Sequence, residues 1–225
     1  MCRHIRTLWI CYISGLAKEK PHLFPLNLLS LKEKESAAKK ENLNISYVVA
    51  DVSKPEDVKN YVDTCIERYG KIDYFFNNAG IEGKVAPLEE YPDDIFDKVM
   101  EVNVKGTYLG MKHVIPKIED GGSIVITSSV AGLQGSPKMV SYITSKHAVI
   151  GIMRTAALEL GKRNVRVNCV NPGSVDNRMM RSLEDGVNPG HGDDVKKIDV
   201  NNRHLFCLAD HLGWCHPYDS HHCHQ

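Results

Sequence analysis

Tyr142 and Lys146 are residues whose types and spacing point directly to chemistry. Residues four apart on a helix lie on the same face, one turn apart. In that position a lysine ammonium lowers the pKa of a neighbouring phenol, because the positive charge favours the phenolate. A phenol of this kind can take a proton from an alcohol near neutral pH. The same spacing also fits two unrelated surface side chains, so the surrounding elements must decide between the two interpretations.

Strand and helix patterns alternate from about residue 44 to residue 172. Short β-branched and aromatic runs predict strands, and longer amphipathic stretches predict the helices between them. The strands are predicted at 45–51, 71–77, 122–129 and 165–173, and the helices at 53–70, about 93–114 and 139–162. Strands joined by helices of this length form βαβ units, so the pattern predicts an α/β fold with a doubly wound parallel sheet.

The helix predicted at 53–70 has recognisable ends. Ser53 and Glu56 fit an S-x-x-E capping box, and Pro55 fits the first turn. Gly70 is placed to end the helix. One apolar stripe runs along the segment, which predicts that this face packs against the sheet.

Polar and glycine residues collect at the carboxyl ends of the predicted strands, where parallel α/β sheets bind their ligands. They are Asp51, Asn77 to Gly80, Ser128 with Ser129, and Asn171 to Gly173. Each group also has a purely structural interpretation, since Asp, Asn, Gly and Ser are common in turns and caps. Their common position nevertheless predicts a ligand site at this edge of the sheet.

Asn103 lies inside the helix predicted at 93–114, and Gly106 follows within one turn. Asparagine is unfavourable in a helix interior unless its polar groups bond elsewhere. Two interpretations stay open. Either the helix is locally broken and a carbonyl group is freed, or the side chain is simply solvated.

Taken together and in this order, the motifs resemble the short-chain dehydrogenase/reductase family. They are Asp51-Val52, Asn77-Asn78-Ala79-Gly80, Asn103, Ser129, the Y-x-x-x-K motif of Tyr142 and Lys146, and Asn171-Pro172-Gly173. The resemblance covers roughly residues 44 to 195. The stretches "SSVAGLQGSPKMVSYITSKHAV" and "NPGSVDNRMM" look like the bacterial-type members that act on alcohols, sugars or 3-oxoacyl groups. The resemblance implies a Rossmann-like fold and an NAD- or NADP-dependent oxidoreductase that interconverts an alcohol and a carbonyl compound.

The same resemblance implies a role for each motif residue. Tyr142 is the general acid/base, Lys146 favours the phenolate and holds the nicotinamide ribose, and Ser129 hydrogen-bonds the substrate oxygen. Asn103 organises a water chain that relays the proton to solvent. The implied cofactor contacts are Asp51 and Val52 at the adenine, Asn78, Ala79 and Gly80 on the adenosine side, and Pro172, Gly173 and Val175 at the nicotinamide amide.

The first 43 residues depart from the family pattern, because they contain no T-G-x3-G-x-G turn to hold the pyrophosphate. The nearest stretch, "TLWICYISGLA", has one strand-like run and one Ser14-Gly15 pair. Only about eight residues separate it from the strand-like run "HLFPLNLL", whereas a parallel crossover needs at least ~10–12. We therefore expect an incomplete first βαβ unit in residues 1–43, with "LKEKESAAKKEN" as the family's second helix. The position that selects the ribose substituent falls near Pro25, so NAD and NADP are not distinguished.

The resemblance fades after about Lys197. We therefore expect a core domain at 44–197 and a divergent tail at 198–225, without the family's last strand and disordered or non-native. The tail is rich in histidine and cysteine, which are zinc ligands. Their spacings match no zinc motif, so no metal site is predicted.

Composition narrows the classes of partner. The 225 residues carry 28 basic and 28 acidic side chains, and no basic patch predicts nucleic-acid binding. No apolar run approaches the length of a membrane-spanning helix. Seven cysteines without a framework spacing favour a reducing, cytoplasmic location. The stretch "MCRHIRTLWICYISGLA" is loosely similar to a secretory signal peptide, which is the alternative.

Two functions from different classes stay open. The first is an active oxidoreductase with a small-molecule alcohol or carbonyl substrate, assembled as a homo-oligomer through helices 93–114 and 139–162, as the resemblance implies. "AVIGIMRTAALEL" has more apolar positions than one sheet-facing side requires, which suits such an interface. The second is a catalytically impaired fragment or isoform that lacks the glycine-rich cofactor loop and has at most an assembly role.

Overall fold

A computed structural model of the chain describes residues 7–13, 36, 40, 44–174 and 178–187. Several sequence predictions fall outside these residues and remain predictions. They concern the Ser14-Gly15 pair, the run at 22–29, most of the helix at 31–42, Val175 and the tail at 198–225.

The described residues contain five strands, and all of their pairings are parallel. They are β1 (Thr7–Ile13), β2 (Asn44–Ala50), β3 (Ile72–Asn77), β4 (Ile118–Thr127) and β5 (Arg166–Val170). The four strands predicted between 45 and 173 correspond to β2 to β5. β4 begins before the predicted residue 122 and ends at Thr127, so Ser128 and Ser129 follow the strand.

In the described ranges five α-helices follow β2, and Ser36 and Lys40, before it, are helical as well. The five helices are α1 (Pro55–Tyr69), α2 (Asp93–Val99), α3 (Gly106–Val114), α4 (Val140–Leu160) and α5 (Arg178–Val187). A π-helical turn, Met100–Lys105, joins α2 to α3, so the predicted helix at 93–114 is present with an irregular middle. The predicted α/β fold with a parallel sheet is confirmed.

The capping box predicted for α1 is wrong. Lys54 is the N-cap residue, and no side chain caps the helix. Ser53 lies one residue before the N-cap, and it donates its Oγ–H to Asp51 Oδ1 at 2.7 Å and its N–H to the same oxygen at 3.0 Å. Gly70 ends α1 as predicted: its φ of +81° lets its N–H bond to the carbonyl of Ile66 at 2.8 Å.

One hydrophobic cluster lies between the helices and the sheet. Ile124 and Ile126 of β4 are fully buried at its centre, with Val58 of α1 and Val149 of α4 packed into the same cluster. Burying side chains of this size stabilises the fold by about 1.5–3 kcal/mol each. This core fixes the carboxyl ends of the strands, where the polar motifs lie.

The strands form two sheets rather than one continuous sheet. β1 pairs with β2, and a second sheet has the order β3-β4-β5. Within the described residues, no strand pairs with the outer edge of β3. Tyr74 and Phe76 of β3 are 66% and 60% exposed, although parallel strands are usually covered on both faces. In the described part of the chain, the edge of β3 that faces away from β4 is therefore open.

No helix in the described ranges is long and apolar enough to cross a membrane. Cys65 and Cys169 are buried thiols outside any disulfide. Across residues 44–174 and 178–187, no three histidine, cysteine or acidic side chains are grouped as metal ligands.

Candidate active site

The loops that follow β4 and β5 are tied together by backbone hydrogen bonds. The N–H of Ser128 donates to the Val170 carbonyl at 2.9 Å, and the N–H of Val130 donates to the Pro172 carbonyl at 3.1 Å. Ser129, between these two donors, is thereby held beside the loop at 171–174. Two of the predicted strand-end motifs are thus brought together.

Ser129 and Tyr142 share a side-chain hydrogen bond, and each is only 8% exposed. The Ser129 Oγ also accepts the N–H of Ala131 at 3.2 Å and lies 3.4 Å from the Pro172 carbonyl. These contacts fix the serine hydroxyl next to the phenol. Two hydroxyls so placed can both hydrogen-bond to one oxygen atom between them.

Lys146 lies one turn along α4 from Tyr142, with its Nζ 5.6 Å from the centre of the phenol ring. The ammonium donates to the carbonyl of Thr127 at 2.9 Å, and the residue is 4% exposed. Burial lowers the pKa of Lys146 to about 8, because a buried ammonium loses its hydration. The interpretation of Tyr142 and Lys146 as surface side chains is therefore wrong.

The pKa of Tyr142 is raised in this chain, whereas the spacing of the pair predicts that it is lowered. Burial is the largest cause of the rise; the hydrogen bond with Ser129 acts against it, and the negative charge of Glu82 adds to it. The Lys146 ammonium points at the Thr127 carbonyl. Burial of the phenol therefore sets the direction of the shift.

Asn103 lies in the π-helical turn and is 1% exposed, so the solvated interpretation is wrong. Its Nδ2 donates to the Ile81 carbonyl at 2.9 Å and to Ser145 Oγ at 3.0 Å, while its Oδ1 accepts the Ile81 N–H at 2.8 Å. The helix is locally irregular, as the other interpretation expects. The freed carbonyl of Asn103 accepts the hydroxyl of Thr107 at 2.7 Å. Asn103 therefore clamps the main chain of the loop after β3.

These hydrogen bonds place Gly80 beside Lys146 of α4. A Cβ atom at Gly80 would lie 3.3 Å from Asn103 Oδ1 and 3.5 Å from Lys146 Nζ. Nearby, the exposed Asn78 accepts the Thr127 hydroxyl at 2.7 Å, and Ala79 is half-buried. The absence of a side chain at Gly80 thus lets the main chain lie close to Asn103 and to the lysine ammonium.

Asp51 and Val52 follow β2 at the same edge. Burial acts to raise the pKa of Asp51, but hydrogen bonds from the Ser53 hydroxyl and N–H, with nearby lysine charges, bring it below its ordinary value. The carboxylate is therefore ionised and able to accept hydrogen bonds. Val52 is buried beside it.

Pro172 and Gly173 follow β5 and are half-buried, and the Pro172 carbonyl is occupied by Ser129 and Val130. Val175, the third residue predicted at the nicotinamide amide, lies outside the described residues.

A second clamp is not predicted by any of the sequence motifs. Tyr91 accepts the N–H of Lys84 at 2.9 Å and pairs with the Ser141 hydroxyl at 2.5 Å. Ser141 and Ser145 are both fully buried on either side of Tyr142. Two serines at helical spacing within an apolar segment are the pattern that indicates such polar contacts.

Replacing Lys146 with methionine is expected to stabilise the fold at neutral pH. The depression of its pKa from 10.5 to about 8 corresponds to a penalty of roughly 3 kcal/mol when the ammonium is buried. Methionine removes this penalty but leaves the Thr127 carbonyl without its donor, which costs about 1–3 kcal/mol. The net gain is therefore expected to be at most about 2 kcal/mol.

The pH dependence is the sharper readout of this substitution. Because the folded pKa lies below the unfolded one, wild-type stability rises as the pH increases from about 8 to about 10.5, and the variant's advantage disappears. Urea unfolding across this range measures it, with Lys162→Met as an exposed control that changes nothing. An advantage that does not vary with pH contradicts a depressed pKa at Lys146.

Three kinds of comparison relate this geometry to known proteins. The family model described as short chain dehydrogenase matches residues 16–188, which includes a segment before residue 44. Levodione reductase of Leifsonia aquatica is 40% identical over 143 residues, covering 63% of this chain and 54% of that protein. Short chain aldehyde dehydrogenase 1 of Euphorbia lathyris is 44% identical over 141 residues, covering 60% and 48%. The chain spans about half the length of the curated relatives it matches.

Solved structures agree with these matches. The crystal structure of levodione reductase has a TM-score of 0.70 at 36% identity, covering 76% of this chain and 69% of that one. The crystal structure of an NAD+-bound xylitol dehydrogenase has a TM-score of 0.68 at 32% identity, covering 84% and 71%.

Proposed function

The chain belongs to the short-chain dehydrogenase/reductase family, and we propose that it interconverts an alcohol and a carbonyl compound with NAD or NADP. The observation that supports this most directly is the buried hydrogen bond between Ser129 and Tyr142, one helical turn from the Lys146 ammonium. A phenol hydrogen-bonded to a hydroxyl and flanked by a cation is suited to transfer a proton to or from a substrate oxygen.

When bound, the nicotinamide ring supplies the hydride chemistry. The hydroxyls of Ser129 and Tyr142 hold the substrate oxygen. In the direction of reduction, Tyr142 gives its proton to the carbonyl oxygen; in the direction of oxidation, its phenolate takes the proton of the alcohol. Burial raises the pKa of Tyr142 in the chain alone. Tyr142 therefore holds its proton at neutral pH and is suited to act as a general acid.

Lys146 and Asn103 support this proton transfer. Lys146 provides the positive charge near the phenol and, through its remaining N–H groups, a donor for the nicotinamide ribose. Asn103 keeps its proposed role in a proton relay to solvent. In addition, its hydrogen bonds to the Ile81 main chain set the distance between the Gly80 backbone and Lys146.

The residues present fit both ends of a dinucleotide. Asp51 and Val52 would hold the adenine, and Asn78, Ala79 and Gly80 the adenosine side, where a Cβ at Gly80 would narrow the space beside Lys146. Pro172, Gly173 and Val175 would hold the nicotinamide amide. The middle of the dinucleotide, its pyrophosphate, has no glycine-rich turn in this sequence.

Turnover tests the proposal. The purified chain is incubated with NAD or NADP and secondary alcohols, or with the reduced cofactors and ketones, and nicotinamide absorbance is followed. The relatives' names favour including a cyclic diketone and xylitol in the panel. We expect the wild-type chain to turn over at least one of these substrates and the Ser129→Ala variant to lose that activity. A chain that binds cofactor tightly yet converts nothing in such a panel contradicts the proposed function.

A second candidate function is an assembly partner without turnover. It is favoured by the open edge of β3, which leaves the described strands in two sheets. A chain of this kind would fold around the same core but would not hold the pyrophosphate. Nucleotide titration distinguishes the two functions.

We also propose that the chain forms a homo-oligomer through α3 and α4. Leu158 of α4 is 79% exposed and Tyr108 of α3 is 49% exposed, which is costly for apolar side chains on a free surface. Sedimentation at micromolar concentration is expected to give dimers or larger species. Leu158→Glu should shift them towards monomer, whereas Leu133→Glu, an exposed leucine outside both helices, should not. A clean wild-type monomer contradicts the interface.

A further inference from the structure

The first turn of α4 carries Tyr142 but begins without the usual kind of cap. The helix starts at Val140, so Tyr142 is its third residue. Its N-cap residue is Met139, whose side chain has no oxygen to accept a helix N–H. The N–H groups of a first turn have no acceptor inside the helix, and helix ends open readily unless they are held. Contacts other than a cap must therefore keep Tyr142 in place beside Ser129.

The hydroxyl of Tyr91 connects this turn to the loop after β3. It pairs with Ser141 Oγ at 2.5 Å and accepts the N–H of Lys84 at 2.9 Å. Ser141 is fully buried and directly precedes Tyr142. A phenol oxygen can accept one hydrogen bond and donate another, so both contacts are satisfied at once. One hydroxyl thus joins the loop, the residues just before α2 and the first turn of α4.

Asn103 makes a second connection one turn further along α4. Its Nδ2 donates to Ser145 Oγ at 3.0 Å and to the Ile81 carbonyl at 2.9 Å. Ser145 in turn donates its hydroxyl to the carbonyl of Tyr142 at 2.8 Å. Ser141 and Ser145 are four residues apart, so they lie on the same face of the helix. The same loop is therefore attached to α4 on both sides of Tyr142.

Gly83 allows the loop to lie close to the connection made by Tyr91. Its φ is +78°, a conformation that favours glycine. A Cβ atom there would lie 2.7 Å from the Tyr91 hydroxyl and 2.8 Å from the Ser141 hydroxyl, so a side chain would force the two apart. The N–H of Ala86 also donates to the Lys138 carbonyl at 3.0 Å, which attaches the loop to the residues before α4.

We propose that Tyr91 is a positioning residue that takes the place of an N-cap on the catalytic helix. Through Ser141 it fixes the main chain of the first turn, and this holds the Tyr142 phenol against Ser129. The rate of proton transfer then depends on a hydroxyl that touches neither the substrate nor the cofactor. This dependence rests on the proposed function, whereas the placement of the phenol does not.

NMR of the Tyr142 phenol tests the placement without requiring turnover. The tyrosine Cζ atoms are isotope-labelled, and the Tyr142 signal is identified by its loss in Tyr142→Phe. Ser129→Ala shows where that signal lies without its hydrogen bond. Tyr91→Phe keeps the ring but removes the hydroxyl, and it is expected to move the signal towards the Ser129→Ala position. Tyr69→Phe is the matched control: it removes a tyrosine–serine hydrogen bond of 2.9 Å to Ser46, between α1 and β2, and should not move the signal.

Ser141→Ala removes the other partner of the same hydrogen bond. If Tyr91 acts through Ser141, the double variant should displace the Tyr142 signal no further than the larger of the two single variants does. Displacements that add up in the double variant contradict this route and overturn the proposal.

Where turnover is measurable, Tyr91→Phe is expected to lower kcat by about 10- to 100-fold, the cost of misplacing a reacting group by about 1 Å. KM should change less than kcat, and Tyr69→Phe should change neither. A loss of stability alone would not separate kcat from KM in this way. An unchanged kcat in Tyr91→Phe overturns the proposal.

An unmoved Tyr142 signal in a folded Tyr91→Phe variant also overturns it; if that variant does not fold, an unmoved signal in Ser141→Ala does. A displaced signal in a chain that shows no turnover contradicts the proposed function and leaves the role of Tyr91 standing. Turnover in a chain whose signal does not move has the opposite meaning.

Discussion

Tyr142→Phe is expected to lower both alcohol oxidation and carbonyl reduction by about 100- to 10,000-fold, the range of general acid/base catalysis. The variant loses the hydroxyl that bonds to Ser129, while the buried ring keeps its place in the first turns of α4. Rates of the two proteins, measured from nicotinamide absorbance at the same cofactor and substrate concentrations, give the ratio. The fold should lose only about 1 kcal/mol, since one hydrogen bond is removed.

Tyr108→Phe is the matched control for this substitution. Tyr108 is a half-exposed tyrosine on α3, remote in sequence from the catalytic helix, and its hydroxyl has no part in the proposed chemistry. Its removal should leave the rates unchanged. If Tyr142→Phe retains most of the activity, Tyr142 is not the acid/base and the proposed mechanism fails.

The strands β2 to β5 and the helices α1 and α4 are predictable because their signal is local. Strands that are covered on both faces need continuous apolar runs, as in the segment that becomes β4. Gly70 ends α1 because no other residue adopts its positive φ so readily. These features depend on residues close in sequence, so the pattern alone is sufficient.

The electrostatics of the site are not predictable in the same way. The pKa of Tyr142 is raised chiefly by burial, and the charge of Glu82, on a loop far away in sequence, adds to the rise. Neither the burial of Tyr142 nor the charge of Glu82 can be deduced from the spacing of Tyr142 and Lys146. Similarly, Asn103 is recognisable as an unfavourable helix residue, but its partner, the Ile81 main chain, becomes known only when the two segments pack together.

Local rules also fail where a helix begins one residue away from its predicted start. Ser53 satisfies the pattern of a capping box, but Lys54 is the N-cap residue and α1 begins at Pro55. The hydroxyl and the N–H of Ser53 both bond to Asp51 Oδ1 instead. Burial acts to raise the pKa of Asp51, and these hydrogen bonds contribute to lowering it.

This chain is expected to bind NAD(H) and NADP(H) weakly, with millimolar dissociation constants or worse. The pyrophosphate is the most charged part of either cofactor, and in this fold backbone N–H groups of a glycine-rich turn and a helix N-terminus hold it. No such turn occurs in the sequence. Each missing hydrogen bond to a charged group is worth about 1.5–3 kcal/mol, so losing several weakens binding by several decades.

The arrangement of the strands supports the same expectation. A dinucleotide that contacts Asp51 after β2 and Gly80 after β3 must pass its phosphates between these two strand ends, because ligands lie along the carboxyl edge of the sheet. In the described residues β1 pairs with β2, and the facing edge of β3 has no strand beside it.

Calorimetric titration with NAD and NADP measures this binding, and Gly80→Val tells where any bound cofactor lies. A side chain at that position begins 3.3 Å from Asn103 Oδ1 and 3.5 Å from Lys146 Nζ, so it should remove the remaining affinity if the cofactor lies beside the lysine. Gly135→Val, where a Cβ meets nothing within 4 Å, should not. A micromolar wild-type dissociation constant that is lost in Gly80→Val overturns the expectation. It means that residues 14–43, most of which lie outside the described ranges, supply a phosphate site without the glycine-rich pattern.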